Sequence, residues 1–329
     1  MTDREPFDPA ARAARPAEEP APDHETGAPG RPGGSAPTGA PARPAGAPDE
    51  QGWRRLDRPG AAIAWRRLGS GPPLVLLHAT LSSSDQLRPL AELLARSFTV
   101  LAIDRRASGR SRLPASAAPV PIDVAIHVED AAAVIAAAAV GPALVVGHSY
   151  GGCVALELAA RRPELVTGIW AYEPPYAPVG GPRLRALLAE LGRRTAEAQA
   201  RGGPAAAAET FLELVIGPEA FARLSPAALA RARAAGASAV ADGALLGLDP
   251  AGLARIACPV ALAVGSASHP LYVELAEGLE AHLPAAASVE RITLPGVGHG
   301  APITHPALVA AAIEAFAAGP AAGPRSAVG

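Results

Sequence analysis

The stretch of sequence that decides the fold runs from residue 143 to residue 160 and reads ALVVGHSYGGCVALELAA. Its central pentapeptide, Gly147–Gly151, matches the pattern Gly-x-Ser-x-Gly. The apolar and partly β-branched run before it predicts a buried strand, and the run after it predicts a helix. A serine on such a sharp turn is held in a strained backbone conformation with its hydroxyl exposed above the sheet. Glycine is expected on both sides of the serine because a side chain there would collide with the backbone. The pattern and its predicted strand and helix together make Ser149 the candidate nucleophile.

Strand and helix patterns alternate on both sides of this turn. The predicted strands are Ala61–Leu68, Leu74–His78, Phe98–Ile103, Leu144–Gly147, Val166–Tyr172, Val260–Gly265 and Val289–Leu294, and the predicted helices include Ser84–Arg96, Val124–Ala139, Leu271–His282 and Pro306–Ala318. Ser84 is the predicted N-cap of the first of these helices. Alternating βα units with apolar strands predict an α/β fold with a mostly parallel sheet flanked by helices on both faces.

The alternation stops at residues 176–250, whose composition predicts helices. We interpret them as a helical cap inserted into a core of residues 51–175 and 251–319, over the strand ends where open α/β sheets bind ligands. Residues 1–50 contain eleven Pro and six Gly, which predicts a disordered tail. That tail lacks the apolar segment of a secretory signal. Residues 320–329 are predicted to be a flexible C-terminus.

Charge and cysteine content narrow the functional classes. A formal net charge of −2 does not indicate nucleic acid as a partner, and no apolar stretch predicts a membrane span. The two cysteines, Cys153 and Cys258, are too few for a disulfide scaffold, so we expect a cytoplasmic protein. No C-x-x-C or H-E-x-x-H pattern predicts a metal site, and no cofactor is expected. The sequence does not indicate an oligomeric state.

A serine nucleophile needs a base to accept its proton and an acid to orient that base. The segment LPGVGHG at residues 294–300 follows the last predicted strand, so His299 lies on the same sheet edge as Ser149 and is the candidate base. His305 is the rival, but it directly precedes a proline and is expected to start the final helix.

The expected position of the acid holds no carboxylate. The penultimate strand ends VGSASHP at residues 264–270, whereas the strand before it ends at Glu173, followed by two prolines that restrict the backbone. A carboxylate on a neighbouring strand tip can still reach the histidine, so Glu173 is the candidate acid. Asp242 and Asp249 are reserve candidates.

An oxyanion hole is the third requirement. The backbone N–H of Tyr150, which follows the nucleophile, is one candidate donor. The loop after the first parallel strand reads HATL at residues 78–81, and the Thr80 N–H is the candidate second donor. His78 is expected to bond the backbone of its own loop.

Taken together, residues 52–318 resemble the α/β-hydrolase fold superfamily. The resemblance rests on Leu76–His78, Asp104–Ser111, Gly147–Gly152 and the pair Gly298-His299. The Asp-Arg-Arg and Tyr-Glu-Pro-Pro runs look like a bacterial esterase-like subgroup, in which the acid follows the sixth strand and Gly-x-x-Ser replaces the usual Gly-x-x-Asp. Ala79 and Ala107 stand where the superfamily usually has glycine. Asp104 is expected to anchor its loop rather than to catalyse.

Related dehalogenases and epoxide hydrolases carry aspartate at the position of Ser149. Because this chain has serine there, the resemblance implies acyl transfer. The expected function is a serine hydrolase that acts on a small apolar carboxylic ester, lactone or thioester. Two alternatives stay open at this point. The same triad could serve a cofactor-free lyase, perhydrolase or acyltransferase, or the chain could be a catalytically silent protein that binds a small molecule.

Overall fold

The computed structural model describes residues 48–113, 120–242, 248–284 and 287–319. The predicted tail, up to residue 47, and the predicted C-terminus at 320–329 lie outside the described residues. One eight-stranded sheet, in the order β1-β2-β4-β3-β5-β6-β7-β8, forms the core. Its strands are β1 (Trp53–Arg58), β2 (Ala61–Leu68), β3 (Pro73–Leu77), β4 (Thr99–Ile103), β5 (Ala143–His148), β6 (Val166–Tyr172), β7 (Val260–Gly265) and β8 (Val289–Leu294).

Only the first edge of this sheet is antiparallel. Strand β1 pairs antiparallel with β2 and β2 pairs antiparallel with β4, whereas every pairing from β4 to β8 is parallel. The predicted mostly parallel sheet is confirmed, and β1 is an additional strand that the sequence patterns did not indicate. The carboxyl ends of β3, β5, β6, β7 and β8 therefore share one edge.

Helices cover both faces of the sheet. They are α1 (Arg88–Leu94), α2 (Val124–Ala138), α3 (Tyr150–Arg161), α4 (Pro182–Ile216), α5 (Pro218–Ala222), α6 (Pro226–Ala234), α7 (Gly236–Ala241), α8 (Leu271–His282), α9 (Ala301–Thr304) and α10 (Pro306–Ala318). Alternate side chains of β3 lie on opposite faces of the sheet. Val75 and Leu77 belong to the apolar cluster that contains α2 and α3, whereas Leu74 and Leu76 belong to the cluster that contains α1 and α10.

The N-cap prediction for Ser84 is wrong. Helix α1 begins at Arg88, and the backbone N–H and hydroxyl of Ser84 instead donate to Asp104 Oδ1 at 2.8 and 2.7 Å. Asp104 Oδ2 accepts from the Arg110 N–H at 2.8 Å, and a Cβ at Gly109 would lie 2.3 Å from that oxygen. Ser84 therefore bonds a buried carboxylate and lies outside the helix. The predicted anchoring role of Asp104 is thereby confirmed.

Helices α4–α7 form an insertion between β6 and β7, which we call the insertion helices. Helix α4 is interrupted at Gly203, whose φ of 71° and ψ of −168° are not helical, directly before Pro204. Helices α6 and α7 pack against α4. A small apolar cluster of Leu81, Ala208 and Ala239 joins the insertion helices to the loop after β3. Within the described ranges, no helix is both long and apolar enough to cross a membrane.

Candidate active site

Ser149 occupies a strained turn between β5 and α3. Its φ of 53° and ψ of −120° lie in a region that side chains rarely adopt, and its N–H donates to the Tyr172 carbonyl at 2.8 Å. The turn is so tight that a Cβ at Gly147 would lie 2.3 Å from the Gly151 carbonyl oxygen. A Cβ at Gly151 would meet the Leu77 carbonyl oxygen at 2.4 Å. Glycine is therefore required on both sides of the serine.

Glu173 and His299 are in direct contact. Glu173 is buried at the end of β6 with a φ of 49°, and its Oε2 accepts from His299 Nδ1 at 2.6 Å. Its Oε1 accepts from the Gly265 N–H at 2.8 Å and from the hydroxyl of Ser268. The carboxylate thus reaches the histidine across the adjacent strand, and the end of β7 supplies two donors to it instead of an acid.

Two aromatic rings contact the His299 ring. The Tyr272 ring stacks on it with centroids 4.7 Å apart and planes 10° apart, and the His148 ring lies 5.1 Å away. His148 Nε2 donates to the His299 carbonyl at 2.9 Å, and the Tyr172 hydroxyl donates to the Gly298 carbonyl at 2.8 Å. Burial and the neighbouring His299 hold the pKa of His148 well below its ordinary value, so His148 is neutral.

Ser149 and His299 line one cavity of about 530 Å³ at the carboxyl edge of the sheet. Among the described residues, no hydrogen bond joins the Ser149 hydroxyl to the His299 imidazole; catalytic hydrogen bonds commonly tighten only once substrate is bound. The rest of the wall is mostly apolar and comes largely from α4. A second cavity, of about 230 Å³, lies between β7, β8 and α8 and contacts none of these residues.

The loop after β3 lies on the opposite wall. Thr80 lines the cavity, and within the part of the chain that the structure describes its N–H donates to no protein acceptor. The next N–H, of Leu81, is taken by Ser238 Oγ at 3.0 Å. Tyr150 is the first residue of α3, so its N–H has no intrahelical acceptor. Neither of the two predicted oxyanion donors therefore has a protein acceptor among the described residues.

His78 fixes the beginning of that loop. Its Nδ1 donates to the Ala79 carbonyl at 2.8 Å, and its Nε2 accepts from the Arg105 N–H at 2.9 Å. Burial, together with the Arg105 charge, lowers the pKa of His78 to about 3, which keeps the ring neutral. Its expected role in bonding loop backbone is confirmed.

The reserve candidates lie elsewhere. Asp242 is engaged by Arg105, Asp249 caps a 3-10 turn by accepting from the Ala251 N–H at 3.0 Å, and neither contacts His299. They are therefore wrong as orienting acids. His305, the rival base, precedes α10 and bonds the Thr304 hydroxyl at 2.8 Å, as expected for a residue that starts the final helix.

Sequence reasoning missed Ser268, Tyr272 and Tyr172 as neighbours of the histidine and its acid. The Gly-x-x-Ser segment could have indicated Ser268, because it stands where a carboxylate is usual. No local pattern marks the two tyrosines. In the described ranges, no group of three or more His, Cys, Asp or Glu side chains is arranged to hold a metal ion.

Comparisons with known proteins identify the family and support the fold. The family model described as alpha/beta hydrolase family matches residues 74–312. The uncharacterized hydrolase YraK of Bacillus subtilis is 34% identical over 119 residues, which cover 36% of this chain and 43% of YraK. The chain thus spans less than half the length of that curated relative.

Two solved structures have the same fold over most of the chain. An alpha/beta hydrolase from Sphaerobacter thermophilus is 30% identical with a TM-score of 0.58, covering 78% of this chain and 97% of that one. A hydrolase from Pseudomonas aeruginosa is 24% identical with a TM-score of 0.68, covering 82% and 100%. The second likeness supports the fold alone.

Proposed function

Because the chain belongs to the alpha/beta hydrolase family, we propose that it is a serine hydrolase that forms an acyl-enzyme on Ser149. His299 is its general base and Glu173 its orienting acid. The observation that carries the proposal is the 2.6 Å bond between Glu173 and His299, on the wall of the cavity that Ser149 also lines. A strained serine beside an oriented imidazole is the arrangement that acyl transfer requires.

In the proposed reaction, Ser149 Oγ bonds to the carbonyl carbon as its proton passes to His299 Nε2. Glu173 stabilises the imidazolium through Nδ1, and the N–H groups of Tyr150 and Thr80 stabilise the oxyanion. The intermediate collapses, and the leaving alkoxide takes the proton from Nε2. A water molecule then attacks the acyl-enzyme, gives its proton to His299 and releases the acid, and Ser149 regains its proton.

The lining of the cavity favours an apolar carboxylic ester, lactone or thioester. Four leucines of α4 at helical spacing, Leu184, Leu187, Leu188 and Leu191, line it, and Leu187 is 52% exposed. A leucine stripe that faces a cavity instead of a packed core leaves an apolar surface for a ligand to cover.

The alternative of a silent binding protein depended on the missing carboxylate after β7. Glu173 supplies a carboxylate to His299 from β6, so that argument no longer favours it. A lyase, perhydrolase or acyltransferase would use the same side chains, and no contact in the described residues favours one of them over hydrolysis.

Labelling by an alkyl fluorophosphonate tests the nucleophile. We expect the wild-type protein to be labelled and Ser149→Ala to be unlabelled, because only an activated serine attacks the phosphorus. Ser97→Ala is the matched control, since Ser97 is an exposed serine that bonds Glu314 far from the cavity. An unlabelled wild type, or equal labelling of Ser149→Ala, would contradict the proposal.

A series of p-nitrophenyl esters from acetate to dodecanoate tests the substrate class. We expect kcat/KM to rise about fourfold per methylene while the chain covers apolar wall, and to level off when the cavity is full. A preference for acetate that falls with every added methylene would exclude an acyl site along α4.

A further inference from the structure

A buried ion pair beside the proposed oxyanion hole has no part in the chemistry described so far. Arg105 follows β4 and Asp242 follows α7, and the two side chains are each 2% exposed. They form a bidentate pair, with Nη1 to Oδ1 at 2.8 Å and Nη2 to Oδ2 at 2.7 Å. Its members come from the core and from the insertion helices, so the pair joins these two parts of the fold.

Both members also hold the loop after β3. The Thr80 hydroxyl donates to Asp242 Oδ2 at 2.7 Å, and Arg105 Nε donates to the His78 carbonyl at 2.9 Å. The Arg105 guanidinium lies 4.6 Å from the ring centroid of Tyr150, the residue that carries the other oxyanion donor. The ion pair therefore contacts the residues of both donors, and Asp242 also lines the cavity.

Helix α7 contacts the same loop at a second point. Ser238 Oγ accepts from the Leu81 N–H, and the Leu81 side chain packs against Ala208 and Ala239. Leu81 has a φ of 56°, so the chain turns sharply just after Thr80. Two hydrogen bonds therefore hold this part of the loop. The Thr80 hydroxyl bonds Asp242, and the Leu81 N–H bonds Ser238.

We propose that Asp242 is a positioning residue that directs the Thr80 N–H toward the oxyanion, so that the insertion helices set one half of the oxyanion hole. The inference rests on the proposed function, because it assumes that Thr80 is an oxyanion donor. The donor is a backbone N–H that among the standard residues only proline would remove, but its direction depends on how the Thr80 side chain is held. A displacement of about 1 Å at such a group can cost about 100-fold in rate.

The pair of variants Thr80→Val and Thr80→Ser tests the contact. Valine keeps the shape of threonine and removes the hydroxyl, whereas serine keeps the hydroxyl. We expect Thr80→Val to lower kcat about 10- to 100-fold with KM within about twofold, and Thr80→Ser to retain kcat within about threefold. Affinity for an alkyl trifluoromethyl ketone, which forms a tetrahedral adduct on the serine, should fall in proportion to kcat/KM. Equal kcat values for the two variants would overturn the proposal.

Asp242→Asn tests the carboxylate itself, and Asp130→Asn is its matched control. Asp130 forms a buried bidentate pair with the neighbouring Arg106, at 2.8 and 2.9 Å, but does not contact the loop after β3. We expect both variants to lower the Tm, and only Asp242→Asn to lower kcat, by about tenfold. Equal kcat values in the two variants would overturn the proposal, and if Asp242→Asn does not fold, the Thr80 pair decides.

The outcomes separate this inference from the proposed function. Failure of the fluorophosphonate to label wild-type Ser149 contradicts the hydrolase itself. Normal labelling and ester hydrolysis in the wild type, together with unchanged kcat in Thr80→Val, would leave the hydrolase intact and exclude the positioning role of Asp242.

Discussion

Two buried carboxylates lie on opposite sides of Ser149, and their partners differ. Asp242 forms a bidentate ion pair with Arg105, whereas Glu173 accepts from the neutral donors Gly265 and Ser268 and from His299. Among the described residues, no arginine contacts Glu173. Asp242 thus has a permanent counterion in Arg105, whereas Glu173 has a counterion only when His299 is protonated.

This difference separates a structural carboxylate from the proposed catalytic one. Burial alone would raise the pKa of Asp242, but the charge and hydrogen bonds of Arg105 hold it below its ordinary value. Its charge is therefore neutralised before any substrate arrives. The charge of Glu173 is met fully only when His299 becomes protonated, which is the moment at which acyl transfer needs it. Burial and charge alone would not distinguish the two residues.

The largest expected effect is that of Glu173→Gln. The amide keeps the shape of the side chain but cannot stabilise an imidazolium, so kcat should fall about 10³- to 10⁴-fold. The free energy of unfolding should change by less than about 1 kcal/mol, because no permanent ion pair is broken. Steady-state kinetics and urea denaturation measure the two quantities. A loss of less than tenfold in kcat would show that Glu173 is not the acid.

A carboxylate placed in the loop after β7 sharpens this test. Ser268 bonds Glu173 directly, and we expect Ser268→Asp in the Glu173→Gln background to recover about tenfold of the lost kcat by bringing a carboxylate back toward His299. The same change in the wild-type protein should lower activity, because two carboxylates would then share one buried site. We expect a carboxylate after β7 to replace the one after β6 as the partner of His299. If the double variant is no more active than Glu173→Gln, that expectation is wrong.

On the opposite side, loss of Asp242 should act mainly on stability. Asp242→Leu leaves Arg105 buried without its counterion and should lower the free energy of unfolding by about 3–5 kcal/mol. Adding Arg105→Met removes the uncompensated charge, so the double variant should recover most of that loss in urea denaturation. It should not recover kcat, because Thr80 still lacks its acceptor. If the double variant recovers both kcat and stability in full, the Arg105–Asp242 pair acts only in folding.

Part of the acid sensitivity of the fold should also come from the Asp242 side. His127 is buried, its Nε2 lies 3.8 Å from Asp242 Oδ1, and its ring nitrogens have no hydrogen-bond partner in the described residues. Burial and the Arg105 charge lower the pKa of His127 to about 4 from 6.5. The unfolded chain therefore binds the extra proton first, and stability that is full above pH 6.5 falls as the pH drops toward about 4.

Replacing the histidine should remove that loss. We expect His127→Phe to match wild-type stability at neutral pH and to lose up to about 3 kcal/mol less than wild type as the pH falls through this range. Urea denaturation across the pH series measures it, with His305→Phe as the exposed control. Identical pH profiles for wild type and His127→Phe would show that the buried ring does not govern acid stability.

Most of the fold could be predicted because its signals are local. Alternation of strand and helix patterns gave the parallel sheet, and the parallel strands other than β8 are short apolar runs. Strand β1 was missed because only Trp53 and Leu56 are buried among its charged residues, as suits an antiparallel edge. Composition indicated helices in the insertion, but not the interruption of α4 at Gly203.

The candidate site also contains residues that local patterns indicate and contacts that they do not. Ser149, His299 and Glu173 were identified because each follows a strand, and the ends of parallel strands share an edge. The contact between Thr80 and Asp242 spans 162 positions and arises from how α7 packs on the core, which no local pattern encodes. The donors Gly265 and Ser268 were hidden for a related reason, because their segment was searched for an acid.

The smallest expected effect concerns the titratable counterion itself. The Tyr272 ring stacks on His299, and an aromatic face beside a ring that becomes cationic stabilises it by about 0.5–1 kcal/mol. Tyr272→Leu should therefore lower kcat about threefold, whereas Tyr272→Phe, which keeps the ring, should match the wild type. Steady-state kinetics with one ester decides the point. If Tyr272→Phe loses as much as Tyr272→Leu, the hydroxyl and not the stacked ring supports His299, and Glu173 is left as the dominant stabiliser of its charge.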